Sequence, residues 1–309
     1  MIGQKGMPAG SGGVERHVED LSRQLARAGH EVIVYCQLPY RRTSKRIPRW
    51  YGIQLFYIPT IPTKHLATVV HTFFSTIHAM FLRPDIIHYH GIGPSLFSVI
   101  PRILTPWTKV IATFHSQDYY HQKWGRVARA VFHAGEYVAC RWTHETIAVS
   151  KSLQEYILRA HHRNASYIPN AVSSHEKIKP NKIKAMGLTS GSYILSVSRL
   201  VRHKGIHRII DAYKQLKMLM PRTPQLVIVG GSSYTDEYIR AIKESAAGDQ
   251  DIIFTGELSG SILGELYSNA ALFIQASEDE GISIALLEAM SFECPALVSN
   301  VPGNTEVIS

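Results

Sequence analysis

A strand–helix alternation runs twice through these 309 residues, once on each side of a polar, lysine-rich stretch from Ser173 to Lys184. That doubled pattern restricts the fold more than any other feature. Alternating strands and helices form mostly parallel sheets with helices on both faces. In such open sheets ligands bind in a crevice at the carboxyl ends of the strands. The spacing predicts strands at Glu31–Tyr35, Ile53–Ile58, Ile86–His90, Val110–Phe114 and Thr146–Val149, after a short opening Met1-Ile2-Gly3 that reads as the end of a strand. Beyond the linker it predicts strands at Tyr193–Val197, Gln225–Val229, Ile252–Thr255, Leu272–Gln275 and Ala296–Ser299. Helices are expected at Val14–Leu25, Gly205–Met218, Leu258–Asn269 and Ile284–Ser291, where apolar residues recur at helical spacing. The expected architecture is α/β: two Rossmann-like doubly wound domains, residues 1–172 and 173–309, facing a cleft. The second domain reads as truncated at its C-terminus, because the chain stops at Val307-Ile308-Ser309 soon after a strand.

Charge separates the two halves. Residues 1–175 hold 20 Lys and Arg against 9 Asp and Glu, a net +11, and residues 176–309 hold 13 against 15, a net −2. A basic half beside a near-neutral one points to an anionic surface facing the first domain. The densest cationic run, Tyr40-Arg41-Arg42-Thr43-Ser44-Lys45-Arg46-Ile47-Pro48-Arg49-Trp50-Tyr51, reads either as a solvated loop or as a foothold on anionic lipid headgroups. No recognised nucleic-acid motif accompanies the charge, so nucleic acid is not expected as a partner.

The most apolar run, Leu66 to Leu82, contains His71, Ser75, Thr76 and His78 and reads as a half-buried helix, not a membrane span. The first five residues lack the apolar core of a signal peptide. Cys36, Cys140 and Cys294 are odd in number and form no CxxC pair, which points to a reducing cytoplasm and away from disulfides or zinc. His88 and His90 lie two apart on one strand and share a face, but no third ligand stands at a suitable spacing, and no metal is expected.

Three segments carry candidate chemistry. The loop Gly6-Met7-Pro8-Ala9-Gly10-Ser11-Gly12-Gly13 feeds a helix, and glycine permits close backbone approach while the helix N-terminus favours phosphate. It is neither a P-loop nor a GxGxxG. In Ser198-Arg199-Leu200-Val201-Arg202-His203-Lys204-Gly205, a guanidinium and an ammonium sit at the carboxyl end of a strand. Together they can neutralise a diphosphate whose charge grows as it leaves. The third segment, Ser277 to Met290, separates Glu280 and Glu288 by just over two helical turns, so the two line one extended ligand and do not share one atom. Gly281 admits close approach, the N–H groups of the first turn point toward the same site, and Ile282 and Ser283 are read with Gly281 as donor-binding. Glu278 and Asp279 read as solvated.

The order and spacing of several motifs resemble the retaining GT-B glycosyltransferases of family 4 (group 1). The resemblance spans nearly the whole chain. It rests on Gly12-Gly13-Val14-Glu15-Arg16-His17, Pro84-Asp85-Ile86-Ile87-His88-Tyr89-His90, Thr113-Phe114-His115, Ile147-Ala148-Val149-Ser150-Lys151, Tyr167-Ile168-Pro169-Asn170-Ala171-Val172, Arg199 with Lys204-Gly205, and Glu280 with Glu288. The run His121-Gln122-Lys123-Trp124-Gly125-Arg126 resembles a bacterial rhamnosyltransferase-like subgroup acting in surface polysaccharide assembly.

The resemblance implies an acceptor-side first domain and a donor-side second one. It implies transfer of a hexosyl group, with retention, from a nucleotide-diphosphate sugar to a lipid-linked or polysaccharide acceptor. No cofactor or metal is implied. The enzyme would be cytoplasmic or peripheral on the inner face of the cell membrane. By the same resemblance, Gly12 and Gly13 offer N–H groups near the donor phosphate or the reacting centre, and His115 touches the donor sugar. Arg199 and Lys204 hold the leaving diphosphate, Glu280 binds sugar hydroxyls and Glu288 the ribose. Backbone at Gly230, Gly256 and Leu258 borders the base. Ser116 and Ser198 stand where the family commonly has glycine, as does Cys294. The final helix of the fold, which usually braces the first domain, is missing from the pattern. An epimerase on the same fold, or an inactive truncated remnant, is the alternative.

Overall fold

The computed structural model describes residues 1–10, 12–40, 47–61, 63, 66–117, 125–220, 222–231 and 235–308. Half of the basic run (41–46, four of its five cations) and most of the rhamnosyltransferase-like motif (121–124) therefore lie outside the described residues. The chain divides into two compact units, residues 1–10 with 14–170, and residues 11–13 with 171–309.

In the first unit, α1 (Gly13–Arg27) leads to β1 (Ile33–Gln37), β2 (Arg49–Trp50) and β3 (Ile53–Ile58). Next come α2 (Leu66–Phe81), β4 (Ile86–His90), α3 (Ile92–Ser95), α4 (Val99–Leu104), β5 (Lys109–Phe114), α5 (Arg126–Arg141), β6 (Glu145–Ala148), α6 (Lys151–His161) and β7 (Ser166–Tyr167). One sheet runs β1-β3-β2 and the other β4-β5-β6-β7, parallel except for the β2–β3 edge pair. The opening residues join them. Ile2 donates to the His88 carbonyl at 2.9 Å and accepts from the His90 N–H at 2.8 Å, while the Met1 carbonyl accepts from the Tyr35 N–H at 3.1 Å. Successive residues of β1 face opposite sides, as a two-residue period requires. Val34 and Cys36 pack with Val18 of α1, and Tyr35 packs with Ala79 of α2 and with Ile87 and Tyr89.

The second unit contains β8 (Tyr193–Val197), α7 (Ile206–Leu219), β9 (Gln225–Val229), α8 (Asp236–Ser245), β10 (Ile252–Gly256), α9 (Ser261–Asn269), β11 (Leu272–Gln275), α10 (Ile284–Ser291), β12 (Ala296–Val298) and α11 (Pro302–Thr305). Its parallel sheet runs β10-β9-β8-β11-β12. Leu226, Val227, Ile228 and Val229 are all buried because both faces of β9 are covered. Leu226 and Ile228 meet Ile206, Ile209 and Ile210 of α7, and Val227 and Val229 belong to the core of Leu266 (α9), Phe273 (β11) and Leu286 (α10).

Three details depart from the sequence pattern. α9 starts at Ser261, three residues later than expected, because Gly260 at its N-cap has φ +67°. The expected linker is docked from Ile178 onward. Ser268 accepts from the Ile178 N–H at 3.0 Å, and the buried Glu265 carboxylate accepts from the N–H groups of Asn181 and Ile183. A short helix, α11, follows β12. Cys36, Cys140 and Cys294 are buried and free, and burial pushes the first two thiols up to about 12 and the third to about 11. No helix among the described residues is long and apolar enough to cross a membrane.

Candidate functional site

The candidate residues fall into two groups. In the second unit the chain winds outward from β8 to β9 and β10, then returns to β11 on the other side of β8. β8 and β11 are therefore the topological switch point, where a doubly wound sheet opens its crevice. Arg199 and Lys204 follow β8, and Glu280 follows β11. The two loops are bonded directly: the Glu278 N–H donates to the His203 carbonyl at 2.8 Å. Gly205, the N-cap of α7, fixes their approach. Its φ is +69°, and a Cβ there would lie 2.1 Å from the Ala276 carbonyl oxygen.

The Lys204 ammonium donates to Oε1 of Glu280, and the two side chains are only 15% and 10% exposed. The same oxygen accepts from Ser277 Oγ at 2.7 Å and from Gln275 Nε2 at 3.1 Å. Three donors thus converge on Oε1, and Oε2 has no partner among the described residues. Charge-assisted bonds of this kind fix a carboxylate firmly, and the arrangement aims one free acceptor oxygen. Gln275 is the hub behind it. Its Nε2 also donates to Asn304 Oδ1 at 3.0 Å, and its Oε1 accepts from Ser283 Oγ at 2.7 Å. Ser283 also caps α10, accepting from the Leu286 N–H at 3.3 Å. Gly303 lets α11 close on this loop, since a Cβ there would meet the Gly281 and Glu280 carbonyl oxygens at 2.1 and 2.4 Å. Gly281 and Ile282 are buried in the same turn.

Glu288 stands apart from that network. Tyr267, 1% exposed, donates its hydroxyl to Glu288 Oε2 at 3.2 Å. Arg199 is half-buried, and its guanidinium has no hydrogen-bond or ion-pair partner among the described residues. Along the carboxyl edge of the sheet, the Ser198 N–H donates to Val229 at 3.1 Å, and the Gly230 N–H to Gly256 at 2.9 Å. Ser198, where glycine was expected, turns its hydroxyl onto the Arg199 carbonyl at 3.1 Å. Leu258 packs its side chain against the core.

At the start of the chain the Gly-rich loop is held by two glutamates of α1 and by Tyr40, to which the sequence reading gave no such role. Glu15 accepts from the Lys5 N–H at 3.1 Å and Glu19 from the Ala9 N–H at 2.6 Å, while Tyr40 accepts from the Gly10 N–H at 2.6 Å. Gly12, with φ +103°, and Gly13 then begin the helix.

Four histidines gather at the carboxyl ends of β4 and β5. His88 and His90 share a face, with ring centroids 4.2 Å apart. Two histidines that the spacing did not connect with this pair, His17 and His115, are brought beside His90. His90 Nδ1 lies 3.3 Å from His115 Nε2, and His17 of α1 lies edge-on to His115 at 4.8 Å. One nitrogen from each of His17, His90 and His115 lies within 4.8 Å of the others. Burial, then the charges of neighbouring groups, holds His90 well below 6.5 and His88 at about 3. Burial alone carries His17 to about 4 against a hydrogen bond with Asn170. His17, His88 and His90 are therefore neutral at pH 7, suited to hydrogen bonding and not to carrying charge.

Residues 11–176 match the family Glycosyltransferase Family 4, and residues 179–309 match Glycosyl transferases group 1. The chain is 25% identical over 312 residues to a phosphatidylinositol N-acetylglucosaminyltransferase subunit of Arabidopsis thaliana, covering 96% of this chain and 66% of that protein. It is 24% identical over 328 residues to alpha-monoglucosyldiacylglycerol synthase of Streptococcus pneumoniae, covering 96% and 70%. The chain thus spans just under two thirds of the first of these relatives. The crystal structure of HepE from Anabaena in complex with UDP-glucose superposes with a TM-score of 0.76 at 17% identity, covering 97% of this chain and 81% of that one. The fold is GT-B, and the chain belongs to glycosyltransferase family 4.

Proposed function

We infer that this chain is a retaining, metal-independent glycosyltransferase. In this reading it moves a hexosyl group from a nucleotide-diphosphate sugar to a lipid-linked or polysaccharide acceptor. The observation that carries the reading is the Lys204–Glu280 pair at the switch point, with one carboxylate oxygen saturated and the other unpartnered among the described residues. A free carboxylate oxygen suits a sugar hydroxyl, which donates. The Lys204 ammonium and the Arg199 guanidinium suit the diphosphate. Glu288, oriented by Tyr267, is assigned to the ribose, and backbone at Gly230, Gly256 and Leu258 to the base. Gly281, Ile282 and Ser283 present the first turn of α10 to the same ligand. His115 is assigned to the transferred sugar, and Gly12 and Gly13 to the donor phosphate.

The chemistry asked of these groups is electrostatic. As the bond from the anomeric carbon to the diphosphate breaks, charge accumulates on the leaving oxygen, and the two cations stabilise it most in the transition state. The acceptor oxygen forms the new bond on the same face, and its proton passes to the departing diphosphate. No side-chain base is needed. The relatives support the reading because both are named for sugar transfer onto lipids. HepE supports it because that protein binds UDP-glucose.

The test is donor turnover with and without acceptor. Glu280→Gln and Lys204→Met should each lose transfer. Turnover unchanged by both substitutions overturns the assignment, and isomerised nucleotide sugar formed without acceptor replaces it with an epimerase.

A further inference from the structure

α2 presents the opposite face from the one water favours. Its buried residues are His71, Thr72, Ser75, Thr76 and Ala79, a single face on which four of five are polar. That face is pinned inward. Thr76 Oγ1 and Tyr89 Oη are hydrogen-bonded at 2.9 Å, and Tyr35 Oη lies 2.8 Å from His78 Nδ1. The outward face carries Leu66, Val69, Phe73, Phe74 and Phe81, with Phe74 53% and Phe81 82% exposed. A helix about 24 Å long at 1.5 Å per residue thus holds its phenylalanines in solvent and its hydroxyls in the interior. Moving such aromatics out of water is favourable, so the outward face calls for an apolar medium.

The apolar surface continues past the helix. Leu82 is 43% exposed, and the Arg83 guanidinium lies 6.0 Å from the ring centroid of Trp107, itself 58% exposed. Ile86, 54% exposed, pairs in register with Lys109. The last turn of α4 adds Arg102, Ile103 and Leu104, the last two 60% and 61% exposed. Arg102 and Lys109 are close enough together that both charges, after burial, lower the pKa of His144. Among the described residues this rim carries the cations Arg83, Arg102 and Lys109 and the acid Asp85.

We propose that this face, the outward side of α2 with the end of α4 and Trp107, docks on an anionic lipid bilayer. The apolar side chains enter the boundary of the acyl chains, and the three cations meet the headgroups. Charge complementarity selects this occupant, since an apolar crown ringed by cations matches a negatively charged surface with an apolar interior.

Co-sedimentation of the full chain with phosphatidylcholine vesicles, with or without phosphatidylglycerol, tests it. No donor is present, so failure here leaves the transferase reading standing. The chain should pellet with phosphatidylglycerol vesicles. Replacing all three cations (Arg83→Gln, Arg102→Gln, Lys109→Gln) should lower that partition about 100-fold, at about 1 kcal/mol per cation near the surface. Phe74→Glu with Phe81→Glu should abolish it, whereas Met218→Glu with Leu219→Glu, equally exposed on α7, should leave it intact. Melting curves check that each variant is folded. The proposal is overturned by a chain that stays in the supernatant. It is equally overturned by binding that survives Phe74→Glu with Phe81→Glu. Self-association in velocity sedimentation that those two substitutions abolish, without vesicle binding, assigns the face to a second copy instead.

Discussion

Replacing Lys204 by methionine should separate what this residue does for stability from what it does for the donor. Its ammonium is one of three donors on Glu280 Oε1. Breaking a fully buried ion pair costs about 3–5 kcal/mol. Here the side chains are 15% and 10% exposed, and Gln275 and Ser277 remain, so about 2 kcal/mol is the appropriate size. Unfolding entropy is about 2.1 cal/mol/K per residue. For a unit formed by residues 171–309 that loss lowers the melting temperature by about 7 °C. Donor affinity should fall about ten- to hundredfold, the worth of one charge-assisted hydrogen bond to phosphate. The double variant Lys204→Met with Glu280→Gln distinguishes the two roles. A neutral amide at 280 no longer needs the ammonium and still accepts from Gln275 and Ser277, so most of the stability returns, with a coupling above about 1 kcal/mol. Affinity does not return, because the cation facing the diphosphate is gone. Calorimetric melting and isothermal titration on the four proteins of the cycle measure both. The reasoning is refuted if Lys204→Met leaves the melting temperature unchanged, or if the double variant recovers donor binding.

Three further outcomes follow from the same geometry. Gly205→Ala should destabilise the second unit by at least about 3 kcal/mol in urea melts, since its Cβ would meet a carbonyl oxygen at 2.1 Å. Gly187→Ala, with a similar φ of +75° and open space around it, should cost only about 1–2 kcal/mol. Tyr267→Phe removes the hydroxyl that orients Glu288 and should weaken nucleotide binding about two- to tenfold by titration calorimetry. An unchanged Kd would remove Glu288 from the ribose role. His17, His88 and His90 are held neutral in the folded chain, with folded pKa values below the unfolded 6.5. Below pH 6.5 the unfolded chain takes up protons that the folded chain refuses. Stability is therefore complete above pH 6.5 and falls toward pH 4, by about 1.4 kcal/mol per pH unit for each imidazole that stays neutral. Urea melts at pH 7 and 5 measure the slope, His88→Asn should reduce it by about 1.4 kcal/mol per pH unit, and a flat profile in the parent protein contradicts the burial argument.

Much of the fold was legible because the strands are buried on both faces. Runs such as Leu226 to Val229 carry no polar interruption, and their ends fall where the run stops. The Glu280 and Lys204 loops were legible because both follow apolar strands, at the edge where a doubly wound sheet opens its crevice. Gln275 and Asn304 were not. An amide at a strand end and an asparagine in a Pro-Gly-Asn turn look like ordinary punctuation, and only the fold brings them behind the carboxylate. The histidine cluster was hidden for a similar reason. Its members come from α1, β4 and the end of β5, and sequence spacing has no way to show that parallel strands align them. In α2 the periodicity announced a helix, but it could not say which face turns inward, because the usual rule is reversed there.

The central claim is that the second unit holds a nucleotide-diphosphate sugar through Lys204 and Glu280. A thermal-shift panel of UDP, GDP, ADP and dTDP sugars on the full chain and on Lys204→Met tests it most directly. One nucleotide series should raise the melting temperature of the parent protein by mass action, by about 2.7 kcal/mol of stabilisation at 100 times its Kd. The same concentration should give Lys204→Met only about 0.4–1.4 kcal/mol, as its tenfold to hundredfold weaker binding requires. A panel in which no nucleotide sugar shifts the parent, or in which the variant shifts equally, contradicts the claim.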